Sequence, residues 1–146
     1  MDIVKSLNDI TGGHLLAWKV VVTTVVFLLA GLQVAMAASF WQQASFAGVS
    51  PGIAVRVHRA SGRAALVLAV AVGLACLVGP AGPISPARVL LHSIFGGLLF
   101  VVLAAKFALL KVLRSGDRFL PIAGIALFLT FGAIWATSVA DYVSAR

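Results

Sequence analysis

The sequence predicts an all-α integral membrane protein, an up-down-up-down four-helix bundle in which residues 1–146 form one transmembrane domain. Three observations lead there. Hydrophobic residues make up 62% of the chain and charged residues 10%, against roughly 45–50% and 25% in soluble domains. Four stretches reach the roughly 20 apolar residues that a spanning helix needs. The breaks between them hold turn residues and are short enough to force antiparallel neighbours.

The first span is predicted over Leu15–Phe40, the second over Ile53–Gly79, the third over Pro86–Leu113 and the fourth over Phe119–Tyr142. Ser50-Pro51-Gly52, Gly79-Pro80-Ala81-Gly82-Pro83 and Ser115-Gly116-Asp117 separate them. Ahead of the first span, Ile3, Val4, Leu7 and Ile10 recur at helical spacing. That segment reads either as a helix lying along the membrane surface or as an unstructured tail. Ala35-Met36-Ala37 resembles a signal-peptidase site, yet the run containing it is read as a true span.

The net charge of +7 does not point to nucleic acid, because no basic surface domain is present. Lysine and arginine gather at the span ends, where anionic lipid headgroups are the nearer partner. The single Cys76 lies inside an apolar run, which gives neither a disulfide framework nor a metal-type cysteine pair. The face shared by the first-second and third-fourth loops, side A, collects Arg56, Arg59, Arg63, Lys106, Lys111, Arg114 and Arg118. Side B, with both termini, has Lys5, Lys19, Arg88 and Arg146. This asymmetry predicts a cytoplasmic side A and extracytoplasmic termini in a bacterial inner membrane. Trp18, Trp135 and Tyr142 would form the aromatic belt of side B, with Trp41 at side A.

Polar groups that a bilayer penalises are the functional candidates, since an ionisable side chain mid-span costs about 2.5–3.5 kcal/mol on insertion scales. These are His58, Arg59 and Arg63 on the second span and His92 and Lys106 on the third. The fourth span offers Thr130, Thr137, Ser138 and the terminal Asp141. No carboxylate lies near the middle of any span, which argues against an ion-coupled transporter. No serine–histidine–acid set supports hydrolysis.

At about 100° per residue, Arg56, Arg59 and Arg63 share one basic stripe. The stripe of His58 runs instead through Gly62, Ala65, Ala69 and Cys76, with Gly73 alongside. Small residues beneath a histidine leave room either for a flat macrocycle or for a neighbouring helix. His92 and Lys106 stand on nearly one face about 21 Å apart, with Gly96, Leu99 and Leu103 between them. One ligand-type residue per leaflet is the arrangement of two-haem membrane cytochromes. Snorkelling accounts for Lys106 equally well, and a hydrogen bond to a neighbouring helix for His92. His58 and His92 differ in height by about 15–20 Å, so they do not suit the two axial positions of one haem. A His58–Met36 pair, a His58–Lys106 pair or five-coordinate ligation by one histidine remains open, with His14 the histidine nearest His92. Arg59 and Arg63 could hold haem propionates or lipid phosphates.

The runs His58-Arg59-Ala60-Ser61-Gly62-Arg63, Leu91-His92-Ser93 followed by Gly96 and Lys106, and Trp135-Ala136-Thr137-Ser138 resemble a small uncharacterised four-helix family of high-GC bacteria, over about residues 53–142. More loosely, the His-Arg-x-x-Gly start of a span resembles cytochrome b561 and ferric-reductase membrane haem proteins. The resemblance implies haem b between helices, with electrons moving to or from quinone or a partner complex. In the closer family a histidine commonly stands where this chain has Ala75. A bis-histidine site at the height of His92 therefore lacks its second ligand. Two expectations follow. One is a b-type cytochrome or the haem-carrying anchor of a redox complex. The other is a non-catalytic accessory subunit of a larger respiratory or photosynthetic membrane complex.

Overall fold

A computed structural model describes residues 3–41, 48–78, 86–111 and 119–144. Among them are five helices: α1 Ile3–Ile10, α2 Leu15–Trp41, α3 Pro51–Val78, α4 Pro86–Lys111 and α5 Leu120–Ser144. The last four are long and apolar enough to cross a membrane. The chain is a multi-pass membrane protein. The loops predicted at 79–83 and 115–117, with Arg114, Arg118 and Arg146, lie outside the described residues, as do the side chains of Trp41 and Asp141.

The N-terminal segment is a helix, not a tail, and α1 rests against α3. It stops at Gly12 and Gly13, whose φ angles of 60° and 80° are cheap only for glycine. There the Gly12 amide donates to the Asp9 carbonyl (3.1 Å) and the Gly13 amide to the Asn8 carbonyl (2.8 Å). This Schellman arrangement satisfies carbonyls that the last turn leaves open. One residue later the His14 carbonyl accepts the Trp18 amide at 2.9 Å and begins α2. Pro51 and Pro86 each open a helix, where proline's missing N–H is harmless and its fixed φ is already helical.

Three seams hold the bundle: α2 against α3, α2 against α5, and α4 against α5. In the first, α3 presents a buried stripe of Ala54, Ser61, Ala65, Ala69, Val72 and Ala75. That stripe is rotated from the expected one, for Cys76 is exposed. The reason is that α3 packs along one main neighbour and buries a single narrow strip of small residues. In the second, the Phe27 ring is stacked between Phe128 (5.3 Å) and Trp135 (5.1 Å). Gly132 makes room for it, since a Cβ there would sit 3.4 Å from the Phe27 ring. The third seam is an apolar cluster of Leu99, Leu127 and Ile134, flanked by Phe95, Val102, Leu103 and Phe131.

Lipid tails are as apolar as leucine, so membrane helices associate through close packing and interhelical hydrogen bonds. Each seam has both. Trp135 Nε1 donates to Thr24 Oγ1 at 3.0 Å, which draws this indole into the bundle and away from the interfacial belt expected for it. Trp135→Phe keeps a stacking ring and removes that bond. The expected loss of stability is about 0.6 and at most about 1.7 kcal/mol, measured by reversible unfolding in bicelles.

The fourth side of the square stays open. Helices α3 and α4 do not pack along one another. Phe100 of α4 bridges the gap: a Cβ on Gly73 of α3 would lie 3.2 Å from its Cζ.

Candidate functional site

Behind Phe100 lies a cavity of about 430 Å³ walled by all four spans, within the roughly 300–1,000 Å³ of small-molecule sites. Its wall includes exposed residues of both α3 and α4, among them Cys76, Ser93 and Gly97. It therefore opens sideways through the gap. Gly96 and Gly97 enlarge it, since a Cβ on either would meet nothing within 4 Å.

The cavity has a polar end and an apolar end. Lys19 near the start of α2, Cys76 near the end of α3, His92 near the start of α4 and Ser138 near the end of α5 all line it. The antiparallel arrangement brings these four to one height, on side B. Toward mid-bilayer the wall turns to Val26, Ala69, Leu99 and Phe100.

His92 is half-buried and its Nδ1 lies 3.0 Å from Thr137 Oγ1. The Thr137 hydroxyl proton is engaged by its own helix, with the Ile134 carbonyl at 2.8 Å. Its oxygen is therefore the acceptor and Nδ1–H the donor. That tautomer places the imidazole lone pair on Nε2.

His58 is placed differently. Its Nδ1–H donates to the main-chain carbonyl of Gln33 at 3.1 Å. The Gln33 side-chain amide in turn donates to the His58 carbonyl and to Ser61 Oγ at 2.6 Å. The Ser61 hydroxyl donates to the Val57 carbonyl at 2.6 Å. Gly62 permits this clasp: its Cβ would lie 3.0 Å from Gln33 Oε1. His58 precedes Ala69, the first cavity residue of α3, by eleven positions, about 16 Å of helix. The two histidines thus occupy separate places, as their predicted heights require.

None of the other described cofactor-binding candidates lines the cavity. Lys106 is half-buried. Met36 is buried in the bundle, whereas Arg59, Arg63 and His14 are exposed. Among the described residues no three His, Cys, Asp or Glu side chains gather as a metal cluster. Sequence reasoning missed Gln33 and the inward placement of Lys19. An amide inside a span is itself a signal of interhelical hydrogen bonding.

Residues 4–145 match a family of unknown function, DUF6529. The chain belongs to the DUF6529 family. The match takes in α2, α3, α4 and α5 entire, in keeping with the resemblance to an uncharacterised four-helix family. No curated protein matches this DUF6529 chain, and no solved structure does.

Proposed function

We propose that this protein is an electron-transfer subunit of the membrane, carrying a b-type haem in the side cavity with His92 as its axial ligand. The observation that carries the reading is the His92–Thr137 pair at the cavity wall. Metal-ligating histidines almost always donate their second ring N–H to a neighbouring group, which fixes tautomer and ring orientation. Thr137 supplies that partner here. The rest of the donor set fits as well. Glycines at 96 and 97 leave volume beside the ring, and Lys19 provides positive charge for a carboxylate at the side B end.

In this reading haem, when bound, supplies one-electron chemistry at a potential set by its ligand and burial. The chain's own residues do the rest. His92 offers Nε2, Thr137 holds the ring, Phe100 covers the open side, and the apolar wall excludes water. His58 belongs to the α2–α3 clasp and acts in packing. Quinone or other subunits of a redox complex are the proposed exchange partners. With side A cytoplasmic in a bacterial inner membrane, the cavity falls in the outer leaflet.

The test is the pyridine haemochrome of the full chain purified from haem-replete cells. A haem b signal in constant proportion to protein is expected. A colourless protein that stays colourless after incubation with haemin sinks the proposal. One observation favours a second reading in that event: both histidines already fasten helices together, as an accessory subunit of a larger complex requires. Co-purification with that complex would be its signature.

A further inference from the structure

We infer that the side cavity selects a lipophilic carboxylate, its head taken by Lys19 and its apolar body lying between α3 and α4. This rests on the cavity being a ligand site and goes past the haem proposal, since haem is only one such acid.

Lys19 is the starting point. A lysine near a helix end ordinarily snorkels to the headgroups. Here Lys19 lines the cavity, together with Cys76 of α3. Among the described residues, the lining contains no acidic side chain. A cation held against an apolar wall is costly unless it is paired, so the cavity is complementary to an anion. One ammonium, with no arginine among the described residues of the lining, balances a single negative charge better than a phosphate. The hydroxyl of Ser138 stands at the same end and donates to the Ile134 carbonyl at 2.9 Å.

The body of the ligand follows from the other end of the cavity. Below Lys19 and His92 the wall is apolar down to Leu99 and Phe100. The polarity gradient runs along the membrane normal, from side B toward mid-bilayer. An amphiphile already in that leaflet has its head and tail in this order. It enters through the α3–α4 gap without inverting and without crossing water. Volume in the small-molecule range suits one apolar body.

The chain carries its own reporter, because Cys76 is the single cysteine and sits in the cavity wall. The experiment measures alkylation of Cys76 by N-ethylmaleimide in the full-length protein, with and without oleate, and with oleyl alcohol as the uncharged control. Lys19 and Cys76 line the same cavity, and replacing the lysine can itself change thiol reactivity, so the ratio of rates with and without ligand is compared within each variant. Oleate is expected to slow alkylation by about tenfold and oleyl alcohol by less than about twofold, a preference of roughly 1 kcal/mol. Lys19→Gln brings oleate down to the level of the alcohol, and Lys19→Arg keeps the protection. Equal protection by acid and alcohol overturns the inference. So does protection by neither, or oleate protection that survives Lys19→Gln. The haem proposal fails separately: a missing haemochrome with Lys19-dependent protection removes haem and leaves the carboxylate site. A haem b signal with no Lys19 dependence does the reverse.

Discussion

His92→Gly is expected to strip haem from the protein, while His58→Ala leaves the haem content intact. Outer-shell partners of a ligating histidine typically contribute about 10–100-fold in metal affinity, and loss of the ligand itself should exceed that range. Because His92 also ties α4 to α5, lost colour alone could reflect a loosened bundle. Two further measurements separate the causes. Imidazole added to His92→Gly should restore the Soret band, since it fills the space the side chain left and returns the ligand without the helix tie. Thr137→Val should keep haem but weaken its retention by about tenfold, because Nδ1–H loses its acceptor and the ring its fixed orientation. A His92→Gly protein as coloured as the wild type would remove His92 from the site. Loss of haem in His58→Ala alone would move the site to the other end of the bundle.

Gln33→Leu should produce the largest loss of stability among single polar substitutions. The amide makes two interhelical hydrogen bonds, to the His58 carbonyl and to Ser61 Oγ. Interhelical bonds in membranes average about 0.6 kcal/mol and reach about 1.7, so the loss should fall between about 1 and 3 kcal/mol. Leucine offers no compensating transfer gain, since the unfolded helices are already in hydrocarbon. The His58 ring bond survives, because its acceptor is the main chain of Gln33. A double-mutant cycle of Gln33→Leu with Ser61→Ala isolates the side-chain pair, with an expected coupling of about 0.6–1.7 kcal/mol. Steric trapping in bicelles reads both. A coupling near zero would show that the clasp only accompanies close packing of Ala65 and Ala69.

Most of the fold was legible, for a reason particular to membranes. Every backbone polar group in lipid must be satisfied within its own helix, so an apolar run of sufficient length has one outcome. Pro51 and Pro86 marked two helix starts directly, and Gly12-Gly13 ended α1 where only glycine is comfortable. Short loops implied antiparallel neighbours, and the seams agree.

What the sequence did not disclose is that α3 and α4, joined by a short connection, stand apart. Lipid-facing and helix-facing positions use the same residues here: valine, leucine, alanine and glycine. Their pattern holds no record of which face meets protein. The cavity could not be read for the same reason, since Gly96 and Gly97 look like close-packing glycines until their surroundings are seen. The different heights of His58 and His92 were legible, but not which of them faces a cavity. The rotation of α3, with its strip from Ser61 to Ala69 seated on α2, turns His58 into the α2–α3 clasp. Lys19 read as one more charge near a helix end. Gln33 escaped because no uncharged polar group of the first span was weighed, although an amide in lipid needs partners too.

Carbon monoxide binding to the dithionite-reduced, haem-loaded protein tests the site most directly. His92 is the only imidazole among the described residues of the cavity wall, so one axial position should have no histidine, and a shifted Soret band is expected on adding the gas. A sharp six-coordinate spectrum indifferent to carbon monoxide, or no Soret band at all, would contradict a haem held in this cavity by His92.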